Sequence, residues 1–155
     1  MATIGKVEMA YPAQTIANYL ILRVNSDEEY GEQITNMKLQ KLLYYAQGFH
    51  LAWRGSKLFN EDIEAWAHGP VVPNIYHEYK GFRSNPLPDP EGFDSATVDD
   101  ESRTVLEEVY SVYGQYSAWG LRNLTHEEAP WSDTTQGEVI SPDAMKAFFA
   151  ENLTA

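Results

Sequence analysis

The chain is predicted to be a mainly α-helical, single compact domain with one small β-hairpin, organised about a central helix at 35–54. Three observations predict this. Apolar residues recur at helical spacing in several separate stretches. Residues that favour helix starts stand in front of most of them. Alternation with a period of two, the mark of a half-buried strand, is confined to one short region near 63–67.

The first helix is expected over 12–23, with Pro12 in its first turn, where a missing N–H is harmless. Ala13, Ile16, Ala17, Leu20 and Val24 form its apolar stripe. A polar, acidic loop follows at 25–33. Thr35 is expected to cap the central helix, whose stripe is Leu39, Leu42, Leu43, Ala46, Phe49 and Trp53. Lys38 and Lys41 are placed on the opposite, outer side, and His50 falls inside the apolar arc as a core histidine. After a turn at Arg54, Gly55 and Ser56, the small hairpin is expected from strands at 57–59 and 63–67, ended by Gly69 and Pro70.

A helix then starts near Val72, with Val72, Ile75, Tyr76 and Tyr79 on one face. The stretch 81–98, with three prolines, reads as a long surface loop. Asp99, Asp100 and Glu101 open the next helix, where negative charge suits the dipole. Its expected core face is Val105, Val109, Val112, Tyr113 and Tyr116. Ser117 caps a short helix to Leu124, 125–137 reads as irregular, and Ser141 with Pro142 starts a last helix carrying Met145, Phe148 and Phe149. One domain is expected over 1–155, with its core at about 12–151.

Composition narrows the function. The formal net charge is −12, and Lys and Arg are scattered along the chain. Nucleic-acid binders need several clustered cations to displace counterions from phosphates, so direct nucleic-acid binding is not expected. A basic partner is. Ten Tyr, six Phe and four Trp supply both core and interface anchors. There is no Cys, which removes disulfides, thiolate metal sites and Cys nucleophiles. A membrane span needs about 20 apolar residues; the run at 16–22 is shorter and contains Asn18. No signal peptide is read, and a cytoplasmic protein is expected.

Catalytic and nucleotide-binding motifs are missing. His126 and Glu127 open a metalloprotease-like pattern that lacks its second histidine. His68 and His126 have carboxylates nearby in Glu64 and Glu127, but a metal- or His-dependent enzyme remains the weaker alternative, and no cofactor is expected. Trp66 and Trp131 each admit two roles, a plug at the core edge or a contact for a partner.

Two stretches carry a family resemblance. The first is N-M-K-L-Q-K-L-L-Y-Y-A-Q-G-F at 36–49, continuing through Leu58 and Phe59 to I-E-A-W-A-H-G-P-V-V-P at 63–73 and Tyr76. The second is L-T-H-E-E-A-P-W at 124–131. Together they resemble the Panacea domain, that is, SocA-like antitoxins and phage-associated GepA-like proteins. The resemblance implies a mainly helical domain encoded beside a toxin, often on a prophage. It implies neutralisation of a cognate toxin by protein–protein contact, without enzymatic activity. In at least one lineage it implies an adaptor that delivers the toxin to a protease. Family-signature residues that are also candidate partner contacts are Trp66, His68, Gly69, Pro70, Tyr76, Thr125, His126 and Trp131. The expected partner is a toxin with a basic site that handles nucleotides or RNA. No separate DNA-binding module is read beside the domain.

Overall fold

A computed structural model describes residues 10–28 and 33–152. In chain order these form α1 (Ala13–Asn25), α2 (Asn36–Arg54), β1 (Glu64–Trp66), β2 (Gly69–Val71), α3 (Pro73–Tyr79), α4 (Asp100–Tyr113), α5 (Ala118–His126), α6 (Ala129–Ser132) and α7 (Pro142–Asn152). The two strands pair antiparallel, Glu64 with Val71, Ala65 with Pro70 and Trp66 with Gly69. The mainly helical class with one small hairpin is what the periodicities predict.

The hub is α2, which packs against α7, α4, α5, the hairpin and α1. The Thr35 side chain accepts from the Lys38 N–H to cap it, and Gly55 closes it in a left-handed conformation. Leu39, Leu42, Leu43 and Ala46 are fully buried. Gly48 sets the approach of α7: a Cβ there would lie 2.2 Å from the Phe149 ring. Only glycine lets these two helices meet so closely.

Because α2 has neighbours on nearly every side, its polar residues are buried too and act as clamps. Gln40 Oε1 accepts from the Val72 N–H at 2.8 Å, and its amide nitrogen donates to Asn36 Oδ1 at 2.9 Å. Gln47 Oε1 accepts from the Leu58 N–H at 2.8 Å, and Gln47 Nε2 donates to the Phe59 carbonyl at 2.9 Å. His50 is a core histidine, its Nδ1 2.6 Å from the Ser56 carbonyl oxygen. These bonds satisfy loop backbone that burial would otherwise penalise.

Several sequence expectations need correction. Lys38 and Lys41 do not face outward: they are 4% and 1% exposed. Trp53 leaves the core stripe and is 49% exposed, because no element covers the last turn of α2 on that side. The hairpin is shifted. The segment near 57–59 makes only a bridge between Phe59 and Tyr11, and the partner of β1 is β2. Gly69 and Pro70 therefore continue the hairpin instead of ending it. Pro70 is tolerated because Ala65 directs its own N–H and C=O away, to Glu138 and Gly137, making Ala65 and Pro70 a pair without ladder bonds. The α4 core face is Ser102, Val105, Leu106, Val109 and Tyr110, whereas Val112 and Tyr116 are exposed.

The remaining differences are at segment ends. Helix α1 runs to Asn25, and residues 29–32 of the acidic loop lie outside the described residues. The surface loop at 81–98 is pinned by buried Leu87 and Val98, with the Leu87 N–H bonded to the Ile34 carbonyl at 2.8 Å. The stretch 125–137 contains the end of α5 and all of α6.

Candidate functional site

The fold brings together the two signature stretches, 36–76 and 124–131. The Trp131 indole N–H donates to the Trp66 carbonyl at 2.8 Å, and the Trp66 indole N–H donates to Glu64 Oε1 at 3.0 Å. The His126 ring stacks on Trp131, centroids 4.0 Å apart and planes within 6°. The Trp66 ring meets Tyr76 edge-on at 5.1 Å. Thr125 is fully buried and donates to the Arg122 carbonyl at 2.9 Å. It also faces Gly69, whose φ is +126° and where a Cβ would sit 3.1 Å from Thr125 Oγ1. Pro70 is buried in β2. Trp66, Gly69, Pro70, Tyr76, Thr125, His126 and Trp131 thus join the hairpin to α3, α5 and α6. The His68 side chain is exposed to solvent in the hairpin turn, while its backbone lies close to the His126 ring.

Beneath this joint lies a buried polar cluster. Glu128, at the start of α6, accepts from the hydroxyls of Tyr44 at 3.2 Å and Tyr45 at 3.1 Å. Burial raises the Glu128 carboxyl to about 7 despite these donors. Burial, reinforced by the Glu128 charge, pushes both tyrosines far above their ordinary value. Tyr45 also stacks on Tyr113 at 3.8 Å. Lys41 does not pair with Glu128: among the described residues its ammonium hydrogen-bonds the Met37 carbonyl alone, at 3.5 Å. Burial, then the Arg122 charge, lowers it to about 8. Burial, with the Arg122 and Lys41 charges, also lowers His126, whose Nε2 is enclosed without a hydrogen-bond partner. Among the described residues no three His, Cys, Asp or Glu side chains converge as metal ligands would.

One exposed apolar surface lies at the C-terminal end of α2; Trp119 of α5 is exposed separately. A groove of about 490 Å³ opens between α2, α4 and α7, with Phe49, Trp53, Val112 and Tyr113 on its walls and Glu108 at its edge. A second depression of about 510 Å³ shares Trp53 and adds Arg54, Glu101, Thr104 and Val105, with Arg54 paired to Glu101 at 2.6 Å. Val112, like Trp53, is 49% exposed. Sequence reasoning missed this surface because Trp53 and Val112 fit helical core stripes. It missed Glu128 and Lys41 because charged residues are ordinarily assigned to solvent. The one available signal was Glu128 lying inside the L-T-H-E-E-A-P-W stretch.

The protein belongs to the SocA-like antitoxins with a Panacea domain, a family that matches residues 39–132. Antitoxin SocA of Caulobacter vibrioides (strain NA1000 / CB15N) is 30% identical over 115 residues, 67% of this chain and 61% of that protein. The chain therefore spans less than two thirds of the length of this curated relative. No solved structure matches the chain. No described helix is long and apolar enough to cross a membrane.

Proposed function

We propose that the protein is a non-catalytic, single-domain cytoplasmic antitoxin that neutralises a cognate protein toxin by direct contact. The observation that carries this is the Trp53 groove: an open surface with Phe49, Trp53, Val112 and Tyr113 on its walls and Glu108 at its edge, on a chain of net charge −12. Its occupant is a toxin segment presenting an apolar side chain flanked by Lys or Arg. Binding energy concentrates in a few desolvated aromatic anchors. Surrounding charge steers the encounter more than it adds affinity. A toxin whose basic surface handles nucleotides or RNA fits that charge.

The test is co-expression with the neighbouring toxin-like gene, followed by rate measurements on the purified pair. Growth arrest should be relieved by this protein but not by Trp53→Ala or Val112→Lys variants with unchanged Tm. In Trp53→Ala the dissociation rate should rise about 30-fold or more, as for an anchor worth about 2 kcal/mol. Association should slow with added salt, because charge interactions are screened beyond about 8 Å at physiological ionic strength. Full relief by both variants overturns the groove as the contact. Relief with no detectable complex, or relief that needs a protease and lowers toxin levels, overturns neutralisation by contact and leaves the adaptor role.

A further inference from the structure

The opposite end of α2 carries a different surface. A groove of about 360 Å³ is lined by Asn36, Met37, His68, Tyr76, Lys80 and Arg83, among others, and no carboxylate lines it. Neither Lys80 nor Arg83 has an ion-pair partner among the described residues, although acidic residues outnumber basic ones 23 to 11 in the chain. Behind the groove, Lys41 is 1% exposed, and among the described residues its ammonium makes one long hydrogen bond, to the carbonyl of groove-lining Met37. Arg122 is close enough to Lys41 to disfavour its charge.

These cations gather where the α2 backbone is itself positive. The N-terminus of a long helix carries about +0.5 elementary charge, and the first turn of the 19-residue α2 contains no acidic residue to offset it. Cations are disfavoured there unless a carbonyl, as Gly114 supplies for Lys38 at 2.6 Å, or an anion joins them. Arg83 also lines the groove; its φ is +56°, a backbone region that favours glycine.

We propose that this groove binds the phosphate group of a small phosphate-bearing ligand, with Lys80, Arg83 and His68 around the phosphate and the Tyr76 ring alongside. The cavity falls in the small-molecule range of about 300–1,000 Å³. The site is independent of toxin binding. Asn36 and Trp53 lie 17 residues apart on one helix, about 25 Å at 1.5 Å per residue, several screening lengths at physiological salt. The two sites can therefore fail separately.

The test uses the full chain alone, at fixed ionic strength. Calorimetric titrations with AMP, ribose 5-phosphate, inorganic phosphate and adenosine are paired with amide NMR shifts at Asn36 and Met37. AMP should bind and move both amides. Lys80→Ser and Arg83→Gly should each weaken binding about tenfold or more, as loss of a charge-assisted contact does. Lys146→Ser, which removes a cation of α7, should leave binding unchanged. Arg83→Gly should also raise the Tm of the ligand-free protein, which separates loss of the cation from damage to the fold. AMP binding tighter than phosphate assigns the source to a nucleotide, and equal affinity assigns it to the free ion; both support the site. Adenosine matching AMP, variants matching the wild type, or no binding at millimolar AMP overturns it. So does binding of an oligonucleotide or an acidic peptide when no small phosphate binds.

Discussion

Lys41→Met should make the protein more stable, although it removes a residue buried at the centre of the fold. The Lys41 ammonium is 1% exposed and has no carboxylate partner among the described residues. Its pKa falls from the ordinary 10.5 to about 8, burial being the main cause. That fall corresponds to a penalty of about 3 kcal/mol on the charged form. Methionine keeps most of the apolar stem but is one atom shorter, and the small void costs about 1 kcal/mol. The expected net gain is about 2 kcal/mol at pH 7. For a chain of this size that raises Tm by about 4–8 °C. The sign follows from linkage. The folded pKa lies below the unfolded one, so the penalty is complete below pH 8, declines between about 8 and 10.5, and vanishes above. Urea unfolding of both proteins at pH 7 and pH 10.5 tests this. A Met variant no more stable than the wild type at pH 7, or a gain that persists undiminished at pH 10.5, would refute an uncompensated ammonium. On the same grounds, an anion at the neighbouring groove should narrow the difference between the two proteins.

Three further changes test the fold. Leu43→Ala, at a fully buried position of α2, should cost about 2–5 kcal/mol in chemical denaturation. Gly69→Ala forces a side chain into φ +126° beside Thr125 Oγ1 and Lys41 Cε, and should lower stability by about 1–3 kcal/mol. Glu128 has a folded pKa raised from 4.5 to about 7, so the wild type binds its proton more tightly when folded. Its stability should therefore fall as pH rises from about 4.5 to 7, by about 2 kcal/mol after allowing for solvent reaching the carboxyl. Glu128→Gln should lack that fall, which parallel pH series of unfolding free energies will show.

Much of the helical framework was legible locally. Thr35 and Ser117 were recognisable as caps because a short side-chain oxygen ahead of an apolar stripe satisfies a first-turn N–H in any context, and each does so here. The signature residues were legible as a set, but not as a joint. That Trp131 donates to the Trp66 carbonyl depends on how α6 docks beside the hairpin. The hairpin was placed one strand too early because period-two alternation marks a strand without marking its partner. Gly69 and Pro70 looked like a stop, and only the outward-turned Ala65 backbone makes Pro70 acceptable.

The sequence by itself determined the helical class, most helix starts, the family, the absence of thiol chemistry and the strongly acidic balance. These depend on side-chain types and spacings along one chain, which local physics can read. Which faces are buried was decided only by the tertiary structure. A periodic pattern assumes one buried side per helix, but α2 is enclosed on nearly every side, so Lys38, Lys41, Gln40 and Gln47 are interior, while Trp53, past the reach of its neighbours, is exposed. Lys80 and Arg83 come to lie beside Asn36 and Met37 at one end of α2, and an apolar groove edged by Glu108 forms at the other. Neither surface exists until distant segments pack, because each is built from residues that share no local period.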